Sequence, residues 1–209
     1  MMKILAHRGY WKISDEKNSL RALTDALKKG WGIETDIRDY KGELVIAHNP
    51  ADGNSTKLEP LFAEYSRLSE KPLLALNVKA DGLYSLLPEV FERYNIKPEN
   101  YFLFDMSTPE QYIYMKRGYK TFSRSSEFET RPIFTEQCDG IWLDQFSDGD
   151  HIVNSLDGFL KAGKVVSVVS PELHGRAGEK VWAFLLRYKG NDRLYLCTDK
   201  PDEAEEYFK

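Results

Sequence analysis

His7, Arg8 and Gly9 close the first apolar run of the chain, and Glu34, Asp36, His48, Asn77 and Lys79 follow at or near the ends of the next ones. Two imidazoles can pass protons to and from oxygen, two carboxylates can share a divalent cation, and a guanidinium with an ammonium can hold a phosphate. These are the parts of phosphodiester cleavage. Glu34 and Asp36 are two residues apart, so in a strand both project to one face while Ile33, Thr35 and Ile37 project to the other. Carboxylates placed this way repel unless a cation lies between them, and a hard ion such as Mg²⁺ or Ca²⁺ suits oxygen ligands better than zinc does. Pairing with Lys or Arg from across the fold is the alternative. Asn77 and Lys79 repeat the spacing, flanked by Leu76 and Val78. The amide oxygen of Asn77 can serve as a third, neutral ligand. Lys79 can hold a non-bridging phosphate oxygen, or lie at the solvated end of its strand.

The elements that must position these residues are legible as a period. Apolar runs of strand length recur at 3–7, 32–38, 72–79, 101–106, 119–125, 140–146, 164–170 and 193–198. Helical spacing covers 19–29, 58–68, 82–94, 108–117, 155–162, 177–188 and 200–208, with at most a short helix within 126–139. Eight strands alternating with helices predict a compact (β/α)8 TIM barrel, with one domain spanning 1–209. In such barrels reactive side chains collect at the carboxyl ends of strands, where His7, Glu34, Asp36, Asn77 and Lys79 fall. A short extension at 42–48 ends in His48, from which the ring can reach back over the barrel mouth. Substrate choice is expected from the later loops. Glu172, His174 and Arg176 lie in the polar stretch after strand seven, Arg124 ends strand five, and Asp144 lies in strand six. The other use is structural: Glu172 and Arg176 can pair with each other and cap the next helix, and Arg124 or Asp144 can belong to an internal salt bridge.

Thirty-three acidic and 29 basic side chains give a net charge of −4, which offers no broad footprint for nucleic acid or an anionic membrane. The run from Met1 to Ala6 lacks a cleavable signal pattern and the length of a membrane span, so a cytoplasmic protein is expected. Neither an apolar insertion loop nor a basic amphipathic helix is legible, which favours a small soluble diester over a phospholipid and argues against membrane insertion. Cys138 and Cys197 lack zinc-type spacing and are expected as reduced structural thiols.

Together these residues resemble the glycerophosphodiester phosphodiesterase family of the phospholipase-C-like barrel group. The resemblance is carried by His7-Arg8-Gly9, Asn18-Ser19, Gly32-Ile33-Glu34-Thr35-Asp36, Val45-Ile46-Ala47-His48 and a terminal Thr198-Asp199-Lys200-Pro201. It implies a (β/α)8 barrel, a divalent metal at Glu34, Asp36 and the position of Asn77, and His7 with His48 as the acid/base pair. The chain departs from the family pattern in three places. Lys17 stands where an acidic residue is usual, Asn49 follows His48 where aspartate is common, and Asn77 replaces an expected carboxylate. One negative ligand fewer weakens the hold on a hard cation. A barrel that binds a phosphorylated small molecule without turnover is therefore a second reading. A third is internal attack to a cyclic phosphate, as in the related spider-venom phospholipase D branch, whose strand carries a similar acidic residue, x, lysine pattern.

Overall fold

Strands and helices alternate throughout the computed structural model, which describes residues 2–209. Met1, where the predicted domain begins, lies outside the described residues. Chain contacts group residues 6–121 into one unit, and residues 2–5 with 122–209 into another.

The unit of residues 6–121 receives the end of β1 (Lys3–His7) and continues with α1 (Leu20–Lys28), β2 (Gly32–Tyr40), β3 (Glu43–Ile46), β4 (Thr56–Lys57), α2 (Glu59–Ser66), β5 (Leu74–Val78), α3 (Leu87–Arg93), β6 (Tyr101–Phe104) and α4 (Thr108–Lys116). Strand β5 runs parallel between β2 and β6, with Asp36 opposite Asn77 and Asn77 opposite Phe104. Helix α1 starts at Ser19, whose hydroxyl accepts from the Ala22 N–H at 3.1 Å, and buries Ala22, Leu23, Ala26 and Leu27 on one face. Leu23, Ile33, Ile37, Leu61, Phe62, Leu74 and Leu76 are fully buried, each side chain contributing about 1.5–3 kcal/mol.

The expected extension at 42–48 is a true strand, β3, paired antiparallel with the outer half of β2. Lys41 and Gly42 both take positive φ, 52° and 83°, which is the two-residue turn that matches strand twist in a hairpin. The helix expected over 82–94 is divided into a short turn at Leu83–Ser85 and α3, whose first turn carries Pro88. A proline lacks the N–H that would continue a helix through it, so it favours a fresh start.

The second unit contains β7 (Phe122–Ser125), β8 (Gly140–Leu143), α5 (His151–Lys161), β9 (Val165–Val169), α6 (Glu179–Leu185), β10 (Leu194–Thr198) and α7 (Pro201–Tyr207). Strands β7, β8, β9 and β10 lie side by side in parallel, in that order. Helix α5 begins four residues before the predicted start at 155. No helix forms in 126–139. Turns carry that segment, and Ser126 Oγ accepts from the N–H groups of Phe128 and Glu129 at 3.2 Å each. The segment presents Phe128 and Ile133 to solvent. Cys138 and Cys197 are buried and form no disulfide, as expected of reduced structural thiols. Among the described residues no helix is long and apolar enough to cross a membrane.

The loop after β8 is pinned by Glu127, whose carboxylate accepts from Ser147 N at 2.7 Å, Ser147 Oγ at 2.6 Å and Phe146 N at 3.1 Å. Burial pushes this carboxyl up, but the hydrogen bonds it accepts outweigh burial and hold it at about 2 instead of its ordinary 4.5. A value depressed by folding means that the pinning is fully present above the ordinary carboxylate range and is lost as pH falls from there toward the depressed value. The backbone and ring resonances of Phe146 and Ser147 are expected to move between pH 5 and pH 2. Glu127→Gln should show the loosened loop already at neutral pH. Resonances unmoved by acid, or a variant loop unchanged at pH 7, would contradict this account.

Candidate active site

The turn that leaves β1 is built of left-handed residues. Arg8 has φ 55° and Gly9 has φ 93°. The Arg8 N–H donates to the Glu34 carbonyl at 2.9 Å, and the Tyr10 N–H donates to the Ala22 carbonyl at 2.8 Å, so the turn is tied to both β2 and α1. A Cβ on residue 9 would lie 2.5 Å from the Ala22 carbonyl carbon, so only glycine fits there. Asn18, itself at φ 60°, donates its backbone N–H to the Arg8 carbonyl at 2.9 Å. Its side chain donates from Nδ2 to Asp36 Oδ2 at 2.8 Å and accepts from Thr35 Oγ1 at 2.8 Å.

Asp36 is fully buried, with Arg8 Nε 3.1 Å from Oδ2 and Lys79 Nζ 3.5 Å from Oδ1. The pairing with Lys and Arg named as an alternative is therefore present at Asp36, and it uses the two cations expected to hold phosphate. Glu34 is buried as well. Burial first, and the neighbouring Asp36 second, push its carboxyl up to about 8 against the pull of Arg8, Lys79 and a hydrogen bond from Asn77. That bond runs from Asn77 Nδ2 to Glu34 Oε1 at 3.3 Å, and His7 Nε2 stands 3.8 Å from Glu34 Oε2. Asp36 is thus compensated by fixed charge, while Glu34 favours its proton when no further cation is near.

In this cluster the buried oxygens Glu34 Oε2, Asp36 Oδ1 and Asn77 Oδ1 accept no hydrogen bond, although His7 and Lys79 stand at ion-pair distance from the first two. Leaving such groups unsatisfied costs about 1–3 kcal/mol each, and a hard cation takes oxygen donors of this kind. The donor chemistry fits the ligand set expected from the sequence. Among the described residues no group of three or more His, Cys, Asp or Glu side chains is placed to hold a metal, so a three-membered set here depends on the amide of Asn77.

His48 is exposed in the loop after β3. Its Nδ1 lies 3.1 Å from Asn49 Oδ1, and its carbonyl accepts from Arg38 at 3.1 Å. The first of these contacts uses the residue that stands where the family has aspartate. Two further residues join the site without having been singled out from the sequence. Asn18, read there only as part of a motif, orients Asp36. Asp105 follows β6 at φ 66°, and its Oδ2 lies 3.9 Å from Lys79 Nζ. Its signal was the one used for the others, a polar residue where an apolar strand ends.

The remaining candidates lie in the second unit. Glu172 and Arg176 do not pair with each other. Glu172 accepts from Ser170 Oγ, Thr198 Oγ1 and the Asp199 N–H, joining the turn after β9 to the end of β10. Arg176 donates to the Gln145 carbonyl. Asp144 and His174 are bonded through Oδ1 and Nε2 at 2.7 Å, with Arg124 3.9 Å from Asp144 Oδ2.

Solved structures share this architecture. A glycerophosphodiester phosphodiesterase from Parabacteroides distasonis ATCC 8503 superposes with a TM-score of 0.75 at 17% identity, covering 99% of this chain and 96% of that one. A putative glycerophosphodiester phosphodiesterase from Galdieria sulphuraria gives 0.75 at 18%, over 100% and 98% of the two chains. One from Agrobacterium tumefaciens str. C58 gives 0.69 at 15%, over 99% of both. This chain shares their fold. No protein-family model matches the sequence, nor does any curated protein sequence.

Gly9→Ala should lower stability by about 2–4 kcal/mol, combining a backbone clash with a strained φ. Gly42→Ala, also at positive φ but with open space around the new Cβ, should cost only about 1 kcal/mol. Denaturant midpoints of the two variants check this. Equal losses would mean that the close approach of residue 9 to α1 is not a constraint.

Proposed function

We propose that this chain is a metal-dependent phosphodiesterase on a (β/α)8 barrel, acting on a soluble glycerol or sugar phosphodiester, with a cytoplasmic location as part of the same reading. The observation that carries it is the set of three buried oxygens on Glu34, Asp36 and Asn77 that accept no hydrogen bond, beside Arg8, Lys79 and His7. The fold shared with solved glycerophosphodiester phosphodiesterases supports the reaction class.

Glu34, Asp36 and Asn77 would hold Mg²⁺ or Ca²⁺, which when bound supplies Lewis-acid polarisation of a phosphoryl oxygen. Arg8 and Lys79 would orient the phosphate and offset charge developing on its equatorial oxygens. His7 and His48 act as the acid/base pair, one taking the proton of the nucleophile and the other giving a proton to the leaving alkoxide. His7 is held beside Glu34 at the end of a strand, whereas His48 sits on the exposed loop after β3. With water as nucleophile the product is a phosphomonoester and an alcohol. With a neighbouring substrate hydroxyl it is a cyclic phosphate.

Asn77 favours a second reading, a barrel that binds a phosphorylated small molecule without turnover, because the amide removes one negative ligand. The two readings part in one assay series. Glycerophosphodiester hydrolysis should be abolished by chelator and restored by Mg²⁺ or Ca²⁺. His7→Ala and His48→Ala should each lower kcat by about 10²–10⁴-fold. Asn77→Asp should tighten metal binding measured by calorimetry. Phosphate-ester binding that is insensitive to chelator, with no product formed, would establish the second reading in place of the first.

A further inference from the structure

The second unit contains an oriented acid/base pair that the phosphodiesterase reading does not use. Asp144 is buried at the end of β8, and its Oδ1 accepts from the Gln145 N–H at 2.8 Å and lies 2.7 Å from His174 Nε2. A carboxylate only accepts, so Nε2 carries the hydrogen and Nδ1 is left as the ring's second hydrogen-bonding position. That nitrogen has no partner among the described residues, and the ring is partly exposed. The Phe146 ring lies 4.7 Å from the imidazole and the Phe128 ring 6.0 Å beyond it, forming a row of three rings. Phe128 is 76% exposed and Phe146 36%. The Arg124 guanidinium stands 5.4 Å from the Phe146 centroid.

Apolar ring faces open to water, beside an oriented imidazole and a guanidinium, match a ligand with C–H groups on its faces and hydroxyls around its edge. A saturated ring bearing hydroxyls has that pattern, and a three-carbon polyol is too short to cover the row. Glu129, 3.8 Å from Arg124, and the fully exposed Asp148 add negative charge to the surroundings, which disfavours an anionic lipid surface.

We propose that Phe128, Phe146, His174 and Arg124 form a binding site for a six-membered polyhydroxylated ring, a cyclic polyol or a pyranose. The proposal stands on the second unit by itself and does not depend on the phosphodiester reading. Phe146 and Phe128 supply the stacking platform. Asp144 is a positioning residue, fixing the tautomer and plane of His174 so that Nδ1 accepts from a ring hydroxyl.

The test uses the full chain carrying His7→Ala, so that turnover does not interfere, and follows the ring NMR signals of Phe146 and His174. Titration with myo-inositol and with methyl α-glucopyranoside should shift both, at concentrations at least tenfold below those required for glycerol. Phe128→Ala, a change at an exposed position that keeps the fold, should weaken ring binding by about fivefold, the equivalent of about 1 kcal/mol. His174→Ala should abolish it, and His174→Gln should restore part of it. Glycerol acting as well as the rings, absent shifts, or binding indifferent to Phe128→Ala would overturn the proposal. So would attachment to phosphatidylcholine vesicles through Phe128 without ring binding, which would assign the patch to a lipid surface. Cleavage of glycerophosphodiesters by the unmodified chain without ring binding defeats this proposal alone. Ring binding without cleavage defeats only the phosphodiesterase reading.

Discussion

A carboxylate removed from water at Asp36 sets the terms for the rest of the proposed catalytic site. A buried charge persists only if paired and hydrogen-bonded, and removing one partner of such a pair typically costs about 3–5 kcal/mol. Arg8, Lys79 and Asn18 meet that requirement from three different segments. The left-handed backbone at Arg8 and Asn18 follows from it, since each residue must leave its segment at an angle that aims its side chain at Asp36. Gly9 completes the same device by letting α1 approach the turn. What reads in sequence as a short catalytic motif is in large part the scaffolding of one buried charge.

This charge arrangement bears on how the site would meet a phosphate. Arg8 and Lys79 bring two positive charges, and Asp36 with Asp105 bring two negative ones within ion-pair distance of them. The cluster holds little surplus positive charge with which to attract an anion, and Glu34 keeps its proton through burial and proximity to Asp36. A purely cationic anion cradle is therefore a poor description. A divalent cation on the oxygens that accept no hydrogen bond would supply the missing charge and displace the Glu34 proton. The electrostatics thus support the metal-dependent reading over anion capture by the basic residues alone.

The alternation of strands and helices was readable because stretches of strand length rich in apolar residues recur along the chain, and each of the eight expected stretches contains a strand. Grouping of Glu34, Asp36, Asn77 and Lys79 was readable for a related reason: the two-residue period places alternate side chains on one face, and the parallel register sets Asp36 opposite Asn77. What escaped the sequence depended on contacts far along the chain. The spacing could suggest two cations for phosphate, but it could not reveal that both lean on Asp36. It named Glu172 and Arg176 as potential partners, yet the turn after β9 sends them to Thr198 and to the Gln145 carbonyl instead. Phe128 was overlooked because a single aromatic residue among Glu127, Glu129 and Thr130 has no period to mark it as exposed.

Each unit builds its polar cluster in the same way. Asp36 lies where β2 reaches its site and Asp144 just beyond β8. Each is buried, each is oriented by an amide donor, Asn18 Nδ2 in one case and Gln145 N in the other, and each holds a nitrogen base or cation at close range. The ends of parallel strands favour this arrangement, because the last ladder residues are still walled by neighbouring strands while the chain beyond is free to turn. A carboxylate placed next to that boundary is dry enough to need a partner and near enough to the loops to find one. The partner side chain, in turn, is presented at the rim with its orientation fixed. In the first unit the device gives a compensated charge beside buried oxygens that accept no hydrogen bond, which suits a cation and a phosphate. In the second it gives an imidazole with one open nitrogen beside exposed aromatic faces, which suits a neutral hydroxylated ring. The difference lies in what surrounds each aspartate: a second buried carboxylate and an amide at Asp36, aromatic rings at Asp144.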